Sequence, residues 1–316
     1  MCEKSFNIGT NRKALANVFL RYFSDDNNYL PFKKFVKSFS HSESLKKLPF
    51  TKYFGYIRMY RNKKESSFFP KDAALELRSI NRRYGMSLTS EIKEWIKKRG
   101  IDFVGIACAE VLDKKAPDGH RPKDLLPDAS GIVVMGMRWP DSIIEGLPDR
   151  RDIYSRYMLV MRDEMDAIAF DLSRFFQELE YKAIPIPNSD PYDLTNLIGI
   201  LSHKHAAVEA GLGELGLSSL LLTPEYGPRI RLVSVITNAP LDFDGPISEK
   251  LCQKGQELCK RSCLEKCPVQ AISDEGKIDK IKCSYYQDRG LPKMGRNGYT
   301  YRCGLCVKNC PLGNRV

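Results

Sequence analysis

Residues 303–311 read CGLCVKNCP, and residues 263–268 read CLEKCP. Each segment ends in C-x3-C-P, the closing step of a bacterial cysteine run that ligates a [4Fe–4S] cluster. Around these two endings, eight of the ten cysteines fall in the last 65 residues: Cys252, Cys259, Cys263, Cys267, Cys283, Cys303, Cys306 and Cys310. Eight thiolates supply two clusters with four ligands each. In two-cluster ferredoxins the cysteine before the proline ligates the other cluster. That crossing assigns Cys252, Cys259, Cys263 and Cys310 to a first cluster and Cys267, Cys283, Cys303 and Cys306 to a second. The first run is irregular, spaced x6, x3, x3 instead of x2, x2, x3, and Cys252 is its outlying member. Structural zinc and disulfides are the alternatives. Zinc ribbons use two close C-x2-C pairs, whereas only Cys303 and Cys306 have that spacing. A disulfide framework needs an oxidising compartment that nothing else in the sequence points to. Cys2 and Cys108 lack sequence partners and read as ordinary residues.

Upstream of the cysteines the pattern is regular. Ser87 can cap a helix with Leu88, Ile92, Trp95 and Ile96 on one face and Gly100 as its stop. Ile101–Cys108 and Gly131–Met137 read as buried strands. A long helix follows, with Met158, Met161, Met165, Ile168, Leu172, Phe175 and Leu179 three and four apart, the spacing of a core face. Strands are expected at Ala183–Pro187, Leu217–Thr223 and Arg229–Thr237, and a helix at His203–Ala210. This alternation predicts an α/β or α+β core over residues 86–245, followed by a small metal-organised domain over residues 246–316. No repeat of solenoid length occurs.

The 316 residues are 42% hydrophobic and 28% charged, which excludes wholesale disorder. No apolar run reaches the length of a membrane span, and the first residues lack a signal-peptide pattern, so a cytoplasmic protein without a membrane span is expected. The net charge of +11 is uneven: residues 1–85 hold 18 Lys and Arg against 7 Asp and Glu, and the remainder is neutral. The same segment carries 16 of the 30 Phe and Tyr residues, so it is expected to fold as a basic, aromatic-rich module. Its partner is expected to be acidic or polyanionic: a low-potential ferredoxin or flavodoxin as electron donor, or RNA.

Gly211-Leu-Gly213-Glu-Leu-Gly216 satisfies G-x-G-x-x-G, but a helical segment precedes it and a strand-like one follows. A dinucleotide fingerprint requires the reverse order, so NAD or FAD binding there is discounted. The longer run His205–Leu241, HAAVEAGLGELGLSSLLLTPEYGPRIRLVSVITNAPL, resembles the stretch before the ferredoxin domain in the epoxyqueuosine reductase and reductive dehalogenase superfamily. Arg121–Ser130 leading into GIVVMGM is similar to their R…LLP.A…VIV segment. Cys283-Ser284-Tyr285-Tyr286 resembles the isolated ligand cysteine of their second cluster. The resemblance spans residues 88–312. It implies a nitroreductase-like α/β core that binds cobalamin and a two-[4Fe–4S] ferredoxin-like domain, α+β overall. Where epoxyqueuosine reductases carry a GLGWIGK-like segment, this chain has GLGELGL.

The resemblance further implies electrons passing through two clusters to a corrinoid and on to an electrophilic small-molecule substrate. An electron-transfer or corrinoid-activating protein without its own substrate, and a tRNA-modifying enzyme, are the competing expectations. His203, His205, Tyr192 and Tyr226 are the candidate proton donors, with structural histidines as the alternative for the first two. Candidate cofactor contacts are Gly211, Gly213, Glu214 and Gly216, together with Arg229 and Arg231, which alternate along a strand. Glu214 reads equally as a turn residue, and the arginines as solvent-facing.

Overall fold

The structure is a computed structural model that describes residues 87–189, 191–193, 195–252, 260–294 and 299–314. These belong to one compact unit, Phe69–Val316. The expected basic module at residues 1–85 lies outside the described residues, as does Cys259.

The fold mixes helix and sheet. Its centre is a four-stranded sheet of β1 (Phe103–Cys108), β2 (Gly131–Arg138), β3 (Ala183–Ile186) and a later strand, Ile230–Thr237, in the order β1, β2, Ile230–Thr237, β3. Every pairing is antiparallel. The strands are near-continuous apolar runs because both faces are covered. Val133, Met135, Val233 and Val235 point to one face, against α1 (Leu88–Lys97) and the 28-residue α2 (Arg151–Glu178). Ile132, Val134, Leu232 and Ile236 point to the other, against α3 (His203–Glu209) and the short helix Ala109–Asp113. The period-2 alternation that normally separates core from solvent here separates two cores.

Local sequence accounts for the helices. The Ser87 hydroxyl accepts the Ser90 N–H and caps α1, whose Ile92, Trp95 and Ile96 are buried. In α2 the methionine-rich stripe is a core face, with Met161, Met165, Ile168, Leu172 and Phe175 all buried.

One expected strand is shorter than its sequence suggests. Of Leu217–Thr223, only Leu221–Leu222 pairs as a strand. Labelled β5, it forms a two-residue hairpin with β4 (Glu214–Leu215), and Ile230–Thr237 is then β6. Ser219 takes a left-handed backbone at φ 57°, and the N–H of Gly216 donates to the Leu220 carbonyl at 2.9 Å, so residues 216–220 turn back on themselves. The sheet's antiparallel order also settles the choice between α/β and α+β in favour of the latter.

The cysteine-rich segment is mostly irregular, with the short helices α4 (Ser262–Glu265), α5 (Lys280–Tyr285) and α6 (Leu305–Lys308). It docks on the core by specific bonds. The Lys308 ammonium donates to the carbonyl oxygens of Glu145, at 2.8 Å, and Leu147, and the Arg302 N–H donates to Ser155 Oγ at 2.7 Å. Gly304 makes the approach possible: at φ 69° it caps α6, and a Cβ there would lie 2.6 Å from Leu147 and 2.9 Å from the Tyr154 ring.

Leu172 is fully buried between α2 and the sheet. Leu172→Ala is expected to lower unfolding free energy by about 2–5 kcal/mol, read as a lower urea midpoint.

Candidate functional site

The ends of β3 and β6 assemble a polar interior. Ser234, on the α3 face of β6, is fully buried, and its hydroxyl pairs with His203 Nδ1 at 2.9 Å. His203 Nε2 lies 3.0 Å from the Pro187 carbonyl, which can only accept, so Nε2 carries the proton and Nδ1 accepts from Ser234. Burial, with Arg231 nearby, holds this imidazole down at about 4. His203 is thus a neutral residue with both nitrogens occupied by protein. His205 bonds Ser202 Oγ at 2.6 Å, and burial also lowers its pKa.

The remaining candidates are dispersed. Tyr192 is exposed on the two-residue strand Tyr192–Asp193. Tyr226 sits in the turn after β5, with the Arg138 guanidinium over its ring and Phe103 beside it. Arg229 and Arg231 do not share a setting. Arg229, 2% exposed, precedes β6 and forms ion pairs with Asp141 at 2.8 Å and Glu145 at 2.5 Å. Arg231 donates to Asn188 Oδ1 and to Ser189 Oγ, the latter at 3.1 Å. Its buried Nε–H has no partner among the described residues. Gly211 ends α3 against Gly245, while Gly213, Glu214 and Gly216 shape the β4–β5 hairpin, where the Glu214 carboxylate accepts the N–H of Cys252.

Sequence reasoning missed Tyr154. It is buried on α2, its ring centroid 4.8 Å from that of Trp139. The ionisable groups that act on it are Cys306, Arg231, Cys303 and Arg302. Burial raises the phenol above its ordinary pKa, the cysteines add to the rise, and the two arginines oppose it. Lys204 was also missed. Its ammonium donates to the Ser219 carbonyl at 2.5 Å, and burial lowers its pKa.

Among the described residues no cysteine is in a disulfide, and no three His, Cys, Asp or Glu side chains are grouped to hold a single metal ion. The four thiols expected to form the second set nevertheless feel one another. Burial first, then Cys303, Cys283 and Cys267, pushes the Cys306 thiol up to about 12. Burial, Cys303 and Cys267 likewise raise Cys283. Such mutual destabilisation of thiolates is the electrostatic situation that a bound cationic centre relieves. Cys306 packs into the Trp139–Tyr154 apolar cluster. Of the first set, Cys252 and Cys310 share the cluster of Leu222, Leu251 and Leu312, and Cys263 lies half-buried on α4. Three sulfurs accept N–H bonds: Cys252 from Leu217 at 3.3 Å, Cys267 from Ala271 at 3.2 Å, and Cys283 from the Gln287 amide at 3.5 Å. Thiols that receive N–H donors suit iron–sulfur ligation, where such bonds tune the potential. Among the described residues no helix is long and apolar enough to cross a membrane.

No family model matches the chain. It is 26% identical over 263 residues to the epoxyqueuosine reductase of Bacillus subtilis, covering 71% of this chain and 63% of that protein. It is 34% identical over 161 residues to the tetrachloroethene reductive dehalogenase of Sulfurospirillum multivorans, covering 45% of this chain and 27% of that one. Among solved structures, an epoxyqueuosine reductase with an epoxyqueuosine-modified tRNA-Tyr stem loop shares the fold, at TM-score 0.50 and 23% identity over 72% of this chain and 66% of that one. A catabolic reductive dehalogenase in complex with 3-bromo-4-hydroxybenzoic acid matches at TM-score 0.51 and 26% identity, over 68% of this chain and 30% of that one. The chain spans less than two thirds of the length of the epoxyqueuosine reductases of Bacillus subtilis and Bacillus cereus.

The buried His203 gives a pH signature. Its pKa is depressed from 6.5 to about 4, so the native state binds fewer protons than the unfolded chain between these values. Stability is expected to fall as pH drops from about 6.5 to about 4, by at most about 3 kcal/mol from this group. Urea titrations across that range should show a flatter acid limb for His203→Gln.

Proposed function

The chain is a homologue of epoxyqueuosine reductases and reductive dehalogenases, and we propose that it is itself an oxidoreductase: an iron–sulfur, cobalamin-dependent reductase of an electrophilic substrate. In this reading residues 86–245 form a nitroreductase-like core and residues 246–316 a ferredoxin-like domain. Cys252, Cys259, Cys263 and Cys310 hold one [4Fe–4S] cluster, and Cys267, Cys283, Cys303 and Cys306 the other. The observation that carries the reading is the packing of Cys306, from the second set, against the buried cluster of Trp139 and Tyr154.

Bound clusters and cobalamin would supply low-potential electrons, which no side chain can provide. The chain's own residues have separate tasks. Tyr154 Oη holds the proton: with its pKa raised, the phenol stays protonated near neutral pH and can donate, and Arg231 stabilises the phenolate left behind. The partnerless Nε–H of Arg231 is the donor still open to an acceptor on a bound cofactor or substrate. Trp139, Leu147 and Val307 exclude water around the cysteine loop. His203 braces β6 against the Pro187 turn, and Arg229 fixes the helix Asp141–Glu145.

The electron donor in this reading is a ferredoxin or flavodoxin drawn by the basic residues 1–85, in the cytoplasm. A second reading has a specific support: several relatives are epoxyqueuosine reductases, and the first 85 residues carry a net +11 suited to tRNA. The substrate would then be an epoxide on a tRNA nucleoside instead of a small molecule.

Anaerobic reconstitution of the full chain is expected to give about eight irons and, with added cobalamin, about one cobalt. Cys306→Ala should retain about four irons. A chain that takes up neither metal fails the reading; one that takes up iron but no cobalt is an electron carrier. Epoxyqueuosine-containing tRNA and an aryl halide, offered in parallel, distinguish the two substrate classes. On the substrate that turns over, Tyr154→Phe is expected to lower kcat by about 10²–10⁴-fold.

A further inference from the structure

The β4–β5 hairpin grips one cysteine at two points. The Glu214 carboxylate accepts the main-chain N–H of Cys252, and the main-chain N–H of Leu217 donates to the Cys252 sulfur at 3.3 Å. Between these two residues lies Gly216. A Cβ there would come within 2.6 Å of Leu222 Cδ1 and 3.5 Å of the Cys252 sulfur, so the hairpin lies flush against the thiol. The neighbouring Leu251 is 1% exposed and packs with Leu222 and Leu312 on the cluster that also touches Cys310. Cys252 is therefore anchored by the core, at the point where the chain leaves it for the cysteine-rich segment.

We propose that Glu214 is a positioning residue for the first iron–sulfur cluster, acting through the backbone of Cys252. The proposal rests on the reading of Cys252 as a ligand of that cluster. The ligand spacing explains the need. Cys252 is separated from the next cysteine by six residues, where a regular run has two. A ligand on so long a tether gains little from its own run and has to be placed from outside. A carboxylate-to-amide bond is charge-assisted and about twice as strong as a neutral one, which suits that task. The two contacts also oppose each other electrically. The Leu217 N–H draws electron density from the sulfur and favours the reduced cluster, whereas the Glu214 charge disfavours it. The G-x-G-x-x-G run thereby acquires a role unrelated to phosphate: its Glu and its last Gly form the seat of a metal-ligating thiol.

The test uses the full chain, reconstituted anaerobically, with iron content and the midpoint potentials of both clusters as readouts. Glu214→Gln keeps an accepting oxygen but removes the charge; Glu214→Ala removes the acceptor; Cys252→Ala removes the ligand. Glu214→Ala is expected to drop iron from about eight to about four per chain. Glu214→Gln is expected to keep about eight, with the first cluster's potential raised and the second's unchanged. If Cys252→Ala loses a cluster while Glu214→Ala keeps full iron and both wild-type potentials, the positioning role is overturned and the ligand reading stands. If Cys252→Ala keeps full iron and both potentials, the ligand reading itself fails. Should Glu214→Ala not fold, Glu214→Gln decides alone: a raised first potential supports the role, and an unchanged one rejects it.

Discussion

A sheet covered on both faces leaves no place along its strands for charged side chains, and this constraint organises the molecule. From Leu232 to Ile236 every residue of β6 is buried. Its one polar side chain in that stretch, Ser234, is tied to His203. The charged residues are displaced to where the strand enters the sheet, and there they build outward. Arg229 pairs with Asp141 and Glu145 and so holds the helix Asp141–Glu145. The carbonyls of Glu145 and Leu147 in turn receive Lys308 of α6. A continuous series of polar contacts thus runs from the sheet's end to Lys308, between Cys306 and Cys310.

Arg229 and Arg231 differ in their energetics. Arg229 is almost wholly buried but faces two carboxylates that are partly open to water, an arrangement that limits its desolvation cost. Among the described residues Arg231 bonds the neutral oxygens of Asn188 and Ser189, and burial lowers its pKa. A guanidinium held this way is costly to keep and retains its capacity to bind an acceptor. The chain places that cost where it acts on the Tyr154 phenol, and on the proposed reading it serves chemistry better than stability there.

The parts of this arrangement that sequence could reveal are those with a period or a spacing. The stripe of α2 and the alternation in β2 and β6 follow from counting residues. Tyr154 is hidden by the same counting. It lies four positions before Met158 in the stripe and reads as one more apolar contact, although a phenol at that point was the available signal. The arginines illustrate a boundary effect: expecting the strand to begin at Arg229 put both on one face, whereas the strand begins at Ile230 and the two side chains find different partners. The Glu214–Cys252 contact joins residues 38 apart through a main-chain N–H. A side chain bound to backbone leaves no complementary residue type for a sequence to display.

Gly304 lies between two of the thiols and against the Tyr154 ring, with no room for a Cβ on the side facing Leu147 and Tyr154. Van der Waals contact, not a linker, thereby sets the gap between cysteine loop and aromatic ring. On the proposed reading, a gap fixed by hard-sphere contact makes the placement of the second thiol set beside the proton-holding phenol a property of the packed interior. Thermal breathing and solvent viscosity would then have little purchase on it. The absent side chain sets how near the phenol the loop can lie.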